Sequence, residues 1–171
     1  MWRLTRQIIV IASFIVAGLL IQIEPLAAHG DEKHGKANEM SNHMQAMYAL
    51  KGEIPEEYRI MERTPIIPDK QSLNRGKELY NQQCAVCHGK EGRGDGAAAK
   101  SLTTPPANFL DLEHSSIYGP GEKFWILGNG SGDTGMPAFP QIDLVDRWNL
   151  VNYVLELQGP ENMNQGQMHH H

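Results

Sequence analysis

Two cysteines and a histidine stand close together in the middle of this 171-residue chain. Cys84, Cys87 and His88 form the pattern C-x-x-C-H, and the chain has no other cysteine. In this pattern the two thiols add across the vinyl groups of a haem, and the adjacent imidazole reaches the iron from the proximal side. The spacing therefore predicts one covalently attached haem c.

The same residue types could also hold zinc or form a redox-active dithiol. A four-sulfur zinc site needs a second cysteine pair, which the sequence lacks. A site with two sulfurs and two imidazoles needs histidines at zinc spacing, and the next histidine after His88 is His114, which has no close partner. A redox-active dithiol expects a helix to begin at the motif, whereas here a helical pattern ends there. We therefore favour the haem.

A methionine thioether is the expected second ligand of the iron, because this neutral, soft donor favours reduced iron. Among the eight methionines, Met136 stands in a Gly-Met-Pro stretch, far enough beyond His88 for a loop to pass around the ring. His114 is the rival ligand. The proximal imidazole also needs an acceptor for its other ring nitrogen, and we predict a carbonyl of the segment Pro105-Pro106.

The first 28 residues have the pattern of an export signal. Arg3 and Arg6 make a basic start, residues 8–21 are almost entirely apolar, and small residues follow. The rival interpretation is an uncleaved anchor, but the apolar run is shorter than the about 20 residues that a membrane-spanning helix needs. We predict a cleaved signal peptide over residues 1–28 and a periplasmic protein, with a membrane-anchored form facing the periplasm as the alternative.

The formal net charge of the chain is -5, and loss of the signal would make it more negative. An acidic domain repels nucleic acid and anionic lipid, and haem carboxylates would strengthen this effect. We therefore expect redox protein partners, no nucleic acid, and a membrane only if the N-terminal segment is retained. The length allows one domain, whose core is small unless a haem fills it, and we expect a monomer.

Beyond the signal, the composition divides the chain into three parts. Residues 29–70 form an extension that begins with polar and charged residues, contains prolines and shows no sustained helical or strand period. Residues 71–160 form the domain proper, and residues 161–171 form a polar tail. The later extension has too many apolar residues for a simple tether, so we expect it to lie across the domain. These residues are Ile54, Tyr58, Ile60, Met61, Ile66 and Ile67.

The extension also contains a possible second metal site. Met40, His43, Met44 and Met47 follow the spacing i, i+3, i+4 and i+7, so a helix would bring three thioethers and an imidazole to one side. Such ligands suit Cu(I), which makes copper a second candidate cofactor. The alternative is an amphipathic patch that packs on the domain or on a partner.

Two helices must position the haem motif. The pattern predicts one from Leu73 to about Gln83 with Ser72 as its N-cap, and one from Leu144 to Leu157 with Asp143 as its N-cap. Gly76 on the first helix allows close approach, so the two helices are expected to cross there. The apolar stripe of the second helix is predicted at Leu144, Trp148, Val151 and Leu155.

Between these helices the chain is rich in glycine and proline. A short helix is predicted over residues 121–127, and no strand pattern is present. The glycine-rich loops include residues 89–96 and 128–135. Such loops have little stability alone, but they can bury side chains against a flat apolar cofactor and pass close to its edge.

The stretch from Ser72 to Gly159 closely resembles the class I monohaem c-type cytochromes. The matching motifs, in the order of the family, are NRGKELY leading into CAVCHG, then PPANF, GMPAF and DRWNLVNYV. The resemblance implies an all-α cytochrome c fold, with three to five short helices and long loops wrapped around one haem. It also implies His88 and Met136 as axial ligands, with Pro105 or Pro106 facing the proximal histidine.

The function implied is one-electron transfer between respiratory-chain redox partners. An iron held by two protein ligands has no open position for a substrate, so we expect an electron carrier rather than an enzyme. The alternative is a cytochrome c subunit held in a membrane or copper-dependent oxidoreductase complex. A haem sensor is a third possibility, which would require displacement of Met136 by a diffusible ligand.

Overall fold

The computed structural model describes residues 43–132 and 134–159. Within these ranges the chain is helical, without a β-strand, and one isolated bridge pairs Ser131 with Met136. The predicted all-α fold is therefore confirmed. The predicted signal peptide, Met40 and the polar tail lie outside the described residues.

The described ranges contain seven α-helices and two other helical turns, several of them separated by long loops. We label residues 43–53 as α1 and Glu56–Arg59 as α2. Then come α3 (Lys70–Leu79), a π-helical turn (Tyr80–Cys84), α4 (Ala85–His88), a 3-10 turn (Ala99–Ser101), α5 (Leu112–Ser115), α6 (Pro120–Asn129) and α7 (Leu144–Gln158). None of the helices in the described ranges combines the length and apolarity needed to cross a bilayer.

The start of α3 differs from the prediction. Its N-cap is Asp69, whose carboxylate accepts a hydrogen bond of 2.8 Å from the backbone amide of Ser72. Ser72 is instead buried in the first turn, where its hydroxyl donates to Asn149 Oδ1 at 2.7 Å and accepts from Asn152 Nδ2 at 2.9 Å. Asp and Ser are both good caps. Because they stand three residues apart here, the local pattern could not tell which one stays outside the helix.

The predicted end of this helix at Gln83 is also wrong, because the chain stays helical as far as His88. The backbone amide of Ala85 bonds to the carbonyl of Tyr80, five residues back. A wide turn of this kind inserts one residue and rotates the following turn relative to α3. It therefore decides which way the haem motif faces, and the 3.6-residue pattern does not reveal it.

The crossing of α3 and α7 at Gly76 is as predicted. A Cβ atom at Gly76 would lie 2.1 Å from the carbonyl oxygen of Asn149, so only glycine allows the two backbones this close. Next to the crossing, the rings of Tyr80 and Tyr153 meet edge to face, with centroids 5.3 Å apart. These contacts form the centre of the core.

The N-cap of α7 is also as predicted, because Asp143 accepts a hydrogen bond of 2.9 Å from the amide of Asp146. Trp148, Val151 and Leu155 are buried as expected. Leu144 is 65% exposed, so its place in the apolar stripe was wrong. It lies in the first turn of the helix, before the buried middle section, where α7 is covered on nearly every side.

The extension contains α1 and α2, so the expectation of no helical period was wrong for its described part. Ile54 is 1% exposed and forms a small apolar cluster with Leu50 and Ile126 of α6. The expectation that the later extension lies across the domain is thereby confirmed. Ile60 and Ile67 are exceptions, with 70% and 78% of their surfaces exposed, and Met61 is 38% exposed.

Candidate functional site

The two thiols and the imidazole of the motif come together at the end of one helix. Cys84 ends the π-helical turn and is buried, whereas Cys87 and His88 in α4 are partly exposed. The two cysteines are not joined by a disulfide. Burial, followed by the nearby Cys87, raises the pKa of the Cys84 thiol to about 12. A redox-active dithiol needs a lowered thiol pKa, so the site does not fit that alternative.

His88 is held by a backbone carbonyl and by an aromatic ring. Its Nδ1 lies 3.1 Å from the carbonyl oxygen of Ala107, which leaves Nε2 to act as a ligand. We predicted that a carbonyl of Pro105 or Pro106 would take this role. That prediction was wrong, because the acceptor is the carbonyl of Ala107, the residue that follows Pro106. The imidazole stacks on Phe109, with centroids 4.8 Å apart and planes 16° apart.

Desolvation lowers the pKa of His88, and the hydrogen bond with Ala107 opposes this effect. A lowered pKa favours the neutral imidazole, which is the form that binds iron. The segment after Pro106 therefore fixes both the orientation of the ring and its protonation state.

The glycine-rich loop after the motif supplies the hydrogen-bond donors that the end of α4 needs. The carbonyl of Val86 accepts from Ala98 N at 2.9 Å, that of Cys87 from Gly96 N at 3.0 Å, and that of His88 from Gly94 N at 2.8 Å. The last carbonyls of a helix otherwise lack partners. A Cβ atom at Gly96 would lie 2.4 Å from the carbonyl oxygen of Val86, so glycine is needed for this return.

The hydroxyl of Tyr80 secures the same turn from inside the core. Tyr80 is fully buried and donates a hydrogen bond of 2.7 Å to the carbonyl oxygen of Gly89. Burial raises the pKa of Tyr80 well above its ordinary value, so the hydroxyl keeps its proton. Sequence reasoning missed this contact and the loop bonds, although an uncapped helix end at the motif was a signal that donors must come from nearby.

Met136 is presented by a separate element, the turn that follows α6. Its backbone carbonyl accepts from Ser131 N at 2.9 Å, and Phe139 N donates to Leu127 O at 2.8 Å, which ties the turn to α6. The Met136 side chain is partly buried and packs against both the main core and the small cluster of Leu50, Ile54 and Ile126.

His114, the rival ligand, lies in α5. Its Nδ1 is 2.8 Å from a carboxylate oxygen of Asp111, at the start of the same short helix. One ring nitrogen is therefore engaged locally.

The candidate copper residues fall partly outside the described ranges. His43 and Met44 are partly exposed on α1, and Met47 is buried. Within the described ranges, no group of three or more His, Cys, Asp or Glu side chains could hold a metal ion. Because Met40 lies outside the described residues, the copper site stays a prediction.

The donor set at the motif fits a haem c. Two thiols and one neutral imidazole share a single stretch of helix, and the imidazole has one nitrogen free because the other is bonded to a carbonyl. The second donor stays a prediction, for which the thioether of Met136, on a different element, is the candidate.

Comparison with known families decides the class of protein. Residues 71–154 match the family described as "Cytochrome C oxidase, cbb3-type, subunit III". The chain carries a c-type cytochrome domain. Such a domain implies a covalently bound haem c and haem-based electron transfer.

One solved structure is also similar to part of this chain. Among solved structures, a chain of the Kuenenia stuttgartiensis reducing HAO-like protein complex is 28% identical, with a TM-score of 0.48. The match covers 54% of this chain and 46% of that one, so the cytochrome spans less than half the length of this relative. No curated protein matches the chain.

Proposed function

We propose that this cytochrome carries electrons one at a time, with a haem c attached to Cys84 and Cys87 and with His88 and Met136 as axial ligands. When bound, the haem supplies a ferric/ferrous couple that exchanges one electron with a partner. The observation that carries the proposal is the imidazole of His88, whose Nδ1 is bonded to Ala107 and whose Nε2 is thereby left to bind iron.

The surrounding residues would act by holding the ligands still. The Ala107 carbonyl selects the tautomer of His88, and Phe109 fixes the plane of its ring. Tyr80 and the loop amides fix the backbone of the motif from two sides. Ligands that move little between oxidation states lower the rearrangement that accompanies electron transfer. This set of contacts therefore supports a carrier rather than a site of substrate chemistry.

We further propose that the protein is exported to the periplasm and shuttles between respiratory partners. The support is the signal-like composition of residues 1–28 and the acidic net charge. Contacts with partners would be brief and would bury less than about 1,200 Å².

A permanent place in an oxidoreductase complex is the second candidate, because the matched family is named for an oxidase subunit. Extraction of native protein without detergent separates the two candidates. A shuttle elutes alone, whereas a subunit elutes with its complex.

The ligand assignment is tested with Met136→Ala in the haem-loaded protein, with Met44→Ala as the control. Met136→Ala should abolish the thioether-to-iron absorption band of the ferric protein and open the iron to added imidazole. Met44→Ala should leave both unchanged. An unchanged band in Met136→Ala would assign the ligand to another residue.

A further inference from the structure

The described part of the extension is anchored to the cytochrome domain by partly buried polar groups. The ammonium of Lys51, on α1, donates to the carbonyl oxygen of Ile117 and lies 3.1 Å from a carboxylate oxygen of Glu122. The hydroxyl of Tyr118 donates to the carbonyl oxygen of Met47 at 2.8 Å. These bonds join α1 to the start of α6, across about 70 residues of sequence. The extension is therefore part of the folded domain.

Glu122 makes Lys51 hard to replace. This carboxylate is 1% exposed, and the same oxygen that faces Lys51 also accepts from the backbone amide of Gly119. Its other oxygen has no hydrogen-bond partner within the described ranges. A buried charge is costly without a charged partner, so the ammonium of Lys51 stabilises both Glu122 and the docking of α1.

A second contact continues along α2. A Cβ atom at Gly121 would lie 2.2 Å from the carbonyl oxygen of Tyr58, so α2 and α6 touch through their backbones. The ring of Tyr58 stacks on that of Phe124, with centroids 6.1 Å apart. Together with the polar anchors, these contacts cover one side of α6 with the extension.

The covered side of α6 leads directly to Met136. Leu50 and Ile54 from the extension and Ile126 from α6 form the small buried cluster, and Met136 packs against it. Met136 also packs against the main core, so its side chain lies where the two clusters meet. The turn that carries Met136 is bonded to the end of α6 through Ser131 and Leu127.

We propose that the docked extension, residues 43–67, positions the Met136 thioether and controls how readily it leaves the iron. This inference rests on the proposed ligation by His88 and Met136. In this arrangement Ile54 is a positioning residue, because it supports the cluster behind Met136. A less tightly packed cluster would leave Met136 unbound for a larger fraction of the time.

Added imidazole measures that fraction. It binds the ferric iron only when Met136 has left, so its apparent affinity is proportional to the population of the released state. In the haem-loaded protein, Ile54→Ala should raise the imidazole affinity about tenfold or more. Ile54→Val should keep the imidazole affinity close to that of the original protein, because it removes only one methyl group.

The matched control is Leu155→Ala, which truncates a buried side chain of the main core on α7. It should lower stability but change the imidazole affinity by less than about twofold. Should Ile54→Ala fail to fold, Tyr118→Phe removes only the bond to Met47 and should raise the affinity about twofold to fivefold.

The possible outcomes are distinguishable. Selective increases in Ile54→Ala and Tyr118→Phe support the proposal. Equal effects in Ile54→Ala and Leu155→Ala, or no effect in the extension variants, overturn it. If Met136→Ala loses the thioether band but the extension variants keep the original imidazole affinity, only this inference is overturned. If Met136→Ala keeps the band, the proposed ligation itself is overturned.

Discussion

Gly76 of α3 lies against the backbone of Asn149 in α7, where an added Cβ would be 2.1 Å from the carbonyl oxygen and 2.8 Å from the Cβ of Tyr153. The two helices therefore meet with no side chain between them. This crossing places Tyr80, one turn further along, in the core beneath the haem motif. The position of the haem motif therefore depends on the absence of a methyl group at residue 76.

Gly76→Ala should lower the free energy of unfolding by about 3 kcal/mol, because α3 and α7 must separate to make room. Urea unfolding of the haem-loaded protein measures the change. Gly52→Ala is the matched control, because Gly52 is exposed in α1 with nothing within 4 Å of an added Cβ. That control should raise stability by about 0.5–1 kcal/mol through helix propensity. Equal stability of the two variants would contradict the close crossing.

Tyr80→Phe tests the hydrogen bond that secures the end of α4. The change leaves the carbonyl oxygen of Gly89 without its donor and should cost about 1–2 kcal/mol of unfolding free energy. Tyr153→Phe is the control, since no hydrogen bond of the Tyr153 hydroxyl is present within the described ranges, and it should cost less than about 0.5 kcal/mol. A smaller loss in Tyr80→Phe than in Tyr153→Phe would rule out this role for the Tyr80 hydroxyl.

Ser72→Ala and Asp69→Ala separate the buried network from the helix cap. Asp69→Ala removes one cap and should cost about 1 kcal/mol. Ser72→Ala removes the donor to Asn149 Oδ1 and one of the two acceptors of Asn152 Nδ2, which keeps its bond to the carbonyl oxygen of Ile66, and it should cost about 1–3 kcal/mol. Thermal unfolding of both variants measures the difference. Loss of stability in Asp69→Ala alone would show that the Ser72 network is not needed.

The cap at Asp69 shows where the sequence pattern stops being informative. The helices at Gly76 and Leu144 and the haem motif are predictable because local spacing specifies them. The acceptor at Ala107 and the docking of α1 are not predictable, because each depends on backbone groups that the tertiary fold brings together. The wide turn at Tyr80–Cys84 is a local departure from the 3.6-residue period, which the apolar pattern does not reveal. Local patterns identify which side chains can act, and long-range packing decides which carbonyl or amide meets them.

The ion pair of Arg75 and Asp146 should make stability depend on acid pH. Arg75 Nε donates to Asp146 Oδ1 at 2.8 Å, linking α3 to α7, and this hydrogen bond is the main cause that lowers the pKa of Asp146 below 3.8. Because the folded pKa is below the unfolded one, the contribution is complete above the ordinary carboxyl range and disappears as the pH falls through the lower folded value.

The free energies of unfolding of the original protein and of Asp146→Asn should therefore differ at neutral pH and converge as the pH becomes acidic. Because the pair is largely solvated, added salt should also reduce the difference. Arg93→Gln, which removes an exposed pair with the nearby Glu91, is the control and should have little effect at any pH. A difference between the original protein and Asp146→Asn that grows as the pH falls would contradict the assigned pKa direction.

The central claim is that Cys84 and Cys87 hold a haem covalently, and mass spectrometry of the protein purified from its exporting host tests it most directly. Peptides that contain residues 84–88 should carry the added mass of one haem, and the double variant Cys84→Ser, Cys87→Ser should lose it. A wild-type peptide with only the mass of its amino acids would contradict the account.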